Sequence, residues 1–224
     1  MTLRTLRLVK LFAIVALAAL VVTATALAGR GAPREKFNAA DQARARTMVL
    51  RQRDLPGLDA HPGTSGGDTS FSCAALDESD LTLTGDADSP DFSGGTAFVS
   101  SEAQVYESVA DGTAAWKRDT SAAGVKCLES TLRKDFAKQG LALHSFRRLA
   151  FPQVSQRASA FRLLLSGQAQ GITVNVFVDV VVLLQSRAEV FLTVGSGLVP
   201  TVKAVDVRLA KVLAGRMKAA MRRG

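Results

Sequence analysis

Every second residue from Ile172 to Leu184 is aliphatic, without interruption. Successive side chains of a β-strand point to opposite faces, so this pattern predicts a long strand with one continuous apolar face. Four other segments also have strand-like composition, and short loops separate those in the C-terminal half, which favours antiparallel hairpins. These predicted strands cover residues 96–108, 141–151, 157–167 and 187–195.

Four segments have helical patterns. One begins near Asn38, and the others cover residues 109–118, 121–139 and 201–223. The order of elements is not the strict alternation of strand and helix that a doubly wound sheet requires. We therefore predict an α+β fold, in which a mainly antiparallel, twisted sheet of about five strands carries helices packed on one face.

Residues 1–28 have the features of a signal peptide. Three basic residues precede an uncharged run of 18 residues, which ends in the small-residue pattern Ala26-Leu27-Ala28. The run is also near the lower length limit of a membrane-spanning helix, so an uncleaved membrane anchor is the alternative. Both interpretations place residues 29–224, as a single domain, outside the cytoplasmic membrane. We expect an exported protein, either secreted or anchored to the outer side of that membrane.

The chain contains two cysteines, Cys73 and Cys127. Two cysteines in an oxidising compartment most often form one structural disulfide, and we predict that bond here. Residues 54–95 around Cys73 are dominated by glycine, serine, aspartate and proline, which predicts a long, irregular, acidic surface segment. Neither a Cys-x-x-Cys motif nor a cluster of histidine and cysteine is present, so we expect no metal site and no cofactor.

Charge is divided along the chain. Residues 54–116 contain twelve acidic and no basic residues, whereas residues 117–224 contain eighteen basic and six acidic ones. This two-signed pattern, with few aromatic residues, argues against a nucleic-acid partner. Two interpretations of the basic half stay open. The acidic segment neutralises it, or the last helix contacts an anionic membrane surface through Arg208, Lys211, Lys218 and Arg222.

The strongest catalytic motif is weak. Residues 63–67 match G-x-S-x-G and place Ser65 as a potential nucleophile. A nucleophile elbow needs a hydrophobic strand before the serine and a helix after it, and Ser65 lies instead in a polar loop. His61 is too close in sequence to be an obvious base, and His144 lies in a predicted strand. We expect a protein that is not an enzyme, with a secreted hydrolase using Ser65 as the alternative.

Asp179 interrupts the predicted valine-rich strand, on the face of Phe177 and Val181. A charge at such a position has to be paired, exposed or part of a cleft. Its potential partners are Arg157, Arg162 and Arg187. The hypothesis for function is that Asp179 and Arg162 bind a ligand. The structural alternatives are a charge on an edge strand that discourages aggregation and a simple ion pair.

The order of several motifs resembles a known group of domains. DLPG at 54–57 is followed by Cys73, by FVSSEAQVYES at 98–108 and by KCLESTL at 126–132. This arrangement is similar to that of secreted actinobacterial domains related to the extracellular sensor domain of PknH-type receptor kinases, and of related cell-envelope lipoproteins. The resemblance implies an α+β domain with a structural disulfide and a ligand-binding cleft. The expected function is therefore a non-catalytic extracytoplasmic binding or sensor-like domain, whose partner is an unidentified small molecule or protein of the envelope.

Overall fold

The computed structural model describes residues 31–63, 73–169 and 171–222, which form nine strands and four α-helices. The strands are β1 (Arg34–Glu35), β2 (Asp59–His61), β3 (Thr82–Asp88), β4 (Asp91–Gly94), β5 (Ala97–Tyr106), β6 (Ala142–Leu149), β7 (Arg157–Ala169), β8 (Ile172–Gln185) and β9 (Ala188–Gly197). The helices are α1 (Ala39–Met48), α2 (Val109–Thr120), α3 (Ala122–Lys138) and α4 (Lys203–Met221). The five predicted strands and the four predicted helices are all found near their expected positions.

The nine strands form one sheet. Its main path runs β1-β3-β5-β9-β8-β7-β6, while β4 also pairs with β5 and β2 pairs with β4. Every pair is antiparallel except β1 with β3. The prediction of a mainly antiparallel sheet is confirmed. The number of about five strands was wrong, because the N-terminal half contributes four more.

Three of those additional strands, β2, β3 and β4, lie in the acidic segment 54–95. The prediction that this segment is irregular throughout was therefore wrong. Its glycine, serine and aspartate residues are typical of turns, but here pairing with β5 determines the backbone conformation. Gly85 allows α1 to pack directly on β3, since a Cβ atom there would lie 2.4 Å from the backbone carbon of Asp41.

Helices cover both faces of the sheet rather than one. α1 and α4 pack against Val181, Leu183 and neighbouring residues in the larger hydrophobic core. α3 packs against Val176 and Val178 in a second core. These two pairs of β8 residues differ by an odd number of positions, so their side chains point to opposite faces. The prediction of helices on one face was wrong because the strands in the middle of the sheet are apolar on both sides.

Cys73 and Cys127 form the predicted disulfide, with a distance of 6.4 Å between their Cα atoms. The bond ties the segment that precedes β3 to α3. Structural disulfides are typical of compartments outside the reducing cytoplasm, so this one is compatible with an extracytoplasmic protein.

Some predictions concern residues outside the described ranges. These are residues 1–28, with the predicted signal peptide or membrane anchor, and Ser65, the potential nucleophile. In the described part of the chain, none of the helices is long and apolar enough to cross a membrane.

Candidate functional site

Asp179 and Arg162 form a buried ion pair. They lie opposite each other on β8 and β7. Arg162 donates from Nε to Oδ1 over 2.6 Å and from Nη2 to Oδ2 over 2.5 Å. The Asp179 side chain is only 1% exposed, so its carboxylate offers no surface to a ligand in this conformation. Of the alternatives left open by the sequence, the structure shows the paired one, and ligand binding by Asp179 and Arg162 stays a prediction.

A third charged residue, Asp206 in the first turn of α4, completes this buried group. It is 2% exposed and lies beside Asp179. Burial, followed by the neighbouring Asp179 carboxylate, raises the pKa of Asp206 to about 7. Arg162 also donates from Nη2 to the Thr201 carbonyl over 3.2 Å. The cluster therefore attaches the start of α4 to the middle of the sheet.

The other two arginines considered for Asp179 have different contacts. Arg187 binds Asp41 on α1, with 2.7 Å between Nη2 and Oδ1. Although burial alone would raise it, the hydrogen bonds from Arg187 and Thr84 hold the pKa of Asp41 well below its usual range. The Arg157 guanidinium lies 5.3 Å from the centre of the Trp116 ring. Both arginines thus stabilise the fold through local contacts.

The four basic residues predicted to face a membrane are all exposed on one side of α4: Arg208, Lys211, Lys218 and Arg222. We call this line of side chains the basic ridge. Arg216, between them in sequence, turns inward and binds Asp54, with 2.8 Å between Nη2 and Oδ1. The acidic segment thus neutralises Arg216, whereas no described carboxylate forms an ion pair with a ridge residue.

A cavity of about 490 Å³ lies beside the C-terminal half of α4. It is formed by the helix, by the loop that joins β6 to β7 and by the end of β8. We call it the α4 groove. Its lining residues are Val154, Ser155, Gln156, Gln185, Lys211, Ala214, Gly215 and Lys218. Its volume is in the range of sites that bind small molecules, and two ridge lysines give it a positive wall.

Hydrogen bonds hold the wall opposite the helix in place. The Gln153 amide donates to the Gln156 carbonyl over 2.7 Å, and the Ser155 hydroxyl donates to the Arg157 carbonyl over 2.5 Å. The Gln156 side-chain oxygen accepts from the Ser186 backbone N–H over 2.8 Å. This leaves the Gln156 side-chain NH₂ group as a donor at the groove, on a loop that needs little ordering before it binds.

Gly215 lies in the middle of α4, between the two groove lysines. A Cβ atom there would have no neighbour within 4 Å, so packing does not require glycine at this position. Glycine in the interior of a helix costs about 1 kcal/mol relative to alanine. The residue is therefore unfavourable for the helix, and its effect is to deepen the groove between Lys211 and Lys218.

The surface around the groove contains little negative charge. Between residues 136 and 222 the sequence has twelve basic and three acidic residues. The three acids, Asp179, Glu189 and Asp206, are 1%, 0% and 2% exposed. No carboxylate from this part of the chain is therefore exposed to compete for Lys211 or Lys218. An anion in the groove meets a positive potential.

The opposite face of the sheet encloses a group of acids: Glu78, Glu102, Asp119 and Glu189. Glu189 is completely buried, and neither of its carboxyl oxygens has a hydrogen-bond partner among the described residues. Burial, followed by the charges of Asp119 and Glu78, raises the pKa of Glu189 well above its usual range. Burial also raises the pKa of Glu78 to about 7, although the Tyr106 hydroxyl lies 3.2 Å from its carboxylate. Glu189 therefore stays protonated to a higher pH than an exposed glutamate does.

The residues considered for a hydrolase are not brought together in the described part of the chain. His61 is exposed on β2. His144 on β6 instead contacts Ser166 on β7, with 2.6 Å between Nε2 and Oγ. This serine and histidine resemble two members of a catalytic triad, but no described carboxylate bonds to His144 to orient its ring.

Sequence reasoning identified Lys211 and Lys218 but not the groove around them. The groove combines α4, the loop before β7 and the end of β8, and only tertiary packing brings these segments together. Gly215 carried the one available signal, since a glycine inside an amphipathic helix is unusual. Asp206 was missed because aspartate in the first turn of a helix is an ordinary residue for that position.

Comparisons with known proteins do not assign this chain to a family. No family model and no curated protein matches the chain. Among solved structures, a similar one is protein PA94 from Pseudomonas aeruginosa, whose function is unknown. Its sequence identity is 13% and its TM-score is 0.24, over 62% of this chain and 82% of that chain. A similarity of this size carries no argument about fold or function.

Proposed function

We propose that this chain is a non-catalytic binding domain of the cell envelope, exported across the cytoplasmic membrane, which binds an anionic ligand in the α4 groove. The observation that carries the proposal is a pair of lysines, Lys211 and Lys218, which lie on either side of Gly215 in one cavity and form no ion pair with a described residue. An anion in the groove would pair with both ammonium groups.

The spacing of the lysines indicates the kind of ligand. Seven residues of α-helix separate their Cα atoms by about 10.5 Å along the axis. One small anion cannot contact both ammonium groups without drawing their side chains together over Gly215. An elongated ligand with two or more negative groups fits better. Ser155 and Gln156 can hydrogen-bond to its uncharged portions from the opposite wall.

Two further observations support the location and the class of function. The Cys73–Cys127 disulfide fits an oxidising compartment, and the N-terminal sequence predicts export. A binding role is also what the resemblance to PknH-type extracellular sensor domains implies.

The first prediction concerns the groove lysines. Tripolyphosphate should raise the melting temperature of the wild-type domain, because it binds the folded state alone. The variant Lys211→Gln/Lys218→Gln should bind it at least about tenfold more weakly, since both charge-assisted contacts are removed. Thermal shift and isothermal titration calorimetry measure the two effects, and citrate replaces tripolyphosphate in a parallel series to separate phosphate from carboxylate recognition.

The matched control is Lys203→Gln. Lys203 is an exposed lysine at the start of the same helix and does not line the groove. Raffinose provides an uncharged ligand of extended shape and should cause no shift. Equal loss of binding in the Lys203 variant would show that only net charge matters. If neither anion binds to the wild type, the groove is not an anion site.

A further inference from the structure

Three exposed aliphatic residues lie in the short loop between β9 and α4. They are Leu198, Val199 and Val202, which are 59%, 64% and 68% exposed. We call these residues the apolar tip. Phe37, Val109 and Ile172 are the other large hydrophobic side chains in the described ranges with comparable exposure, and each lies apart from the tip in sequence.

The tip is held firmly by the sheet. Leu198 donates its backbone N–H to the Asn175 carbonyl over 2.9 Å, which extends the pairing of β9 with β8. Arg162, itself fixed by Asp179, donates to the Thr201 carbonyl. The three side chains thus extend into solvent from a loop that is attached at both ends, rather than from a free terminus.

Two residues of the tip are poor choices for the fold alone. Leu198 has φ of +77°, in the left-handed region where asparagine or glycine is favoured over leucine. Val202 is the N-cap of α4 but offers no capping hydrogen bond, where serine or asparagine would. At both positions an apolar side chain replaces a polar one that would stabilise the loop. Exposed apolar residues retained at such a cost are typical of an interaction surface.

The surrounding charge indicates what this surface contacts. Lys203 follows Val202 directly and is exposed. All three acids between residues 136 and 222 are buried, so this part of the chain presents basic but no acidic groups to a partner. Exposed aliphatic side chains next to a lysine complement a bilayer that contains anionic lipids, because the apolar groups can enter the boundary between headgroups and acyl chains.

We propose that the apolar tip inserts into an anionic bilayer surface and attaches the domain to the membrane. This inference goes beyond the proposed function and does not depend on it. Leu198 bonds to Asn175 near the start of β8 and the groove residue Gln185 ends that strand, so Leu198 and the α4 groove lie toward opposite ends of β8. A domain attached through its tip keeps the groove open on the side away from the lipid.

The test uses the variant Leu198→Asn/Val199→Ser/Val202→Ser of the chain from residue 29 onward. Partition to vesicles of phosphatidylcholine with phosphatidylglycerol, measured by co-sedimentation, should fall at least about tenfold, because the inserted apolar area is lost. Wild-type binding should weaken on phosphatidylcholine alone and at high salt. The matched control is Val109→Ser, which removes another exposed valine and should leave partition unchanged.

The variant should not unfold, since Asn at 198 relieves the left-handed conformation and Ser at 202 supplies an N-cap. Its melting temperature should equal or exceed that of the wild type. If this folded variant partitions to the vesicles as strongly as the wild type, the proposal is overturned. It is also overturned if the wild type binds neither type of vesicle. Analytical ultracentrifugation without lipid gives the remaining contrary outcome, in which the wild type self-associates through the tip and the variant is monomeric. The variant should still bind tripolyphosphate, because its substitutions lie outside the α4 groove. Failure of the tip proposal is therefore distinguishable from failure of the groove hypothesis.

Discussion

Replacing Arg162 with methionine should lower the free energy of unfolding by about 3–5 kcal/mol. The substitution leaves the Asp179 carboxylate, which is 1% exposed, without its two hydrogen bonds from the guanidinium. Asp206 lies beside it and adds a second acid to the same enclosed space. The Thr201 carbonyl loses a donor as well, so the start of α4 should loosen. Urea unfolding at neutral pH, followed by circular dichroism, measures the change.

The matched control is the double variant Arg162→Met/Asp179→Leu. Removing both charges leaves no unpaired ion, and apolar replacements of buried ion pairs are often close to neutral. We therefore expect the double variant to regain most of the lost stability. A single variant within about 1 kcal/mol of the wild type would mean that water or another cation reaches Asp179.

The second large effect is a loss of stability as the pH rises. Burial raises the pKa of Glu78, Asp86 and Asp206 to about 7 each, and that of Glu189 well above its usual range. The unfolded chain releases these protons near pH 4, whereas the folded protein retains them to about pH 7 or beyond. The folded state thus binds more protons across this interval. Stability should therefore fall by at least about 3 kcal/mol between about pH 5 and pH 8.

Carboxyl groups with lowered pKa do not cancel this slope. Hydrogen bonds from Arg187 and Arg216 respectively lower the pKa of Asp41 and Asp54, against the opposite effect of burial. The stability that these two carboxylates contribute is fully present above the pKa that they have in the unfolded chain, and it is lost only as the pH falls below about 4. From about pH 5 upward, the carboxyl groups with raised pKa alone determine whether stability rises or falls with pH.

Glu189→Gln tests the origin of the slope. Glutamine is uncharged at every pH, so the variant should be more stable than the wild type at about pH 8 and lose less stability between about pH 5 and pH 8. Other groups that face this position, Glu78, Glu102, Asp119 and Tyr106, stay unchanged. Glu107→Gln, which removes the charge of an exposed glutamate, serves as control and should behave like the wild type. A wild type that is equally stable at both pH values contradicts the assignment of buried protonated acids.

The sequence predicted the C-terminal half of the fold more fully than the N-terminal half, for a physical reason. From Val174 onward, one aliphatic face of β8 is buried except at Val180, which is partly buried, and such alternation can be recognised without knowing the partner strands. β3 has glycine and aspartate where an isolated strand would have β-branched residues. Its conformation depends on pairing with β5 and on packing under α1, which are long-range contacts.

In the candidate site too, the sequence predicted the features that depend on local pattern and missed those that depend on long-range contacts. Exposure of the ridge lysines followed from their spacing on an amphipathic helix, and the partner of Asp179 was one of three arginines on predicted neighbouring strands. The groove could not be predicted, because its walls are 26 or more residues apart in sequence and its depth depends on the loop at 154–156. Leu198 was missed too, since a left-handed backbone conformation at leucine has no sequence signature.

The central claim is that the α4 groove binds an elongated anion, and the most direct test is tripolyphosphate titration of Gly215→Leu beside Gly215→Ala. Both substitutions remove a glycine from the interior of the helix, which should stabilise the folded state by about 1 kcal/mol. Both variants should therefore have a higher melting temperature than the wild type. The alanine Cβ meets nothing within 4 Å and should preserve binding. The larger leucine side chain fills the space between Lys211 and Lys218 and should weaken binding at least about tenfold. A stable Gly215→Leu variant that binds tripolyphosphate as tightly as the wild type would contradict the account.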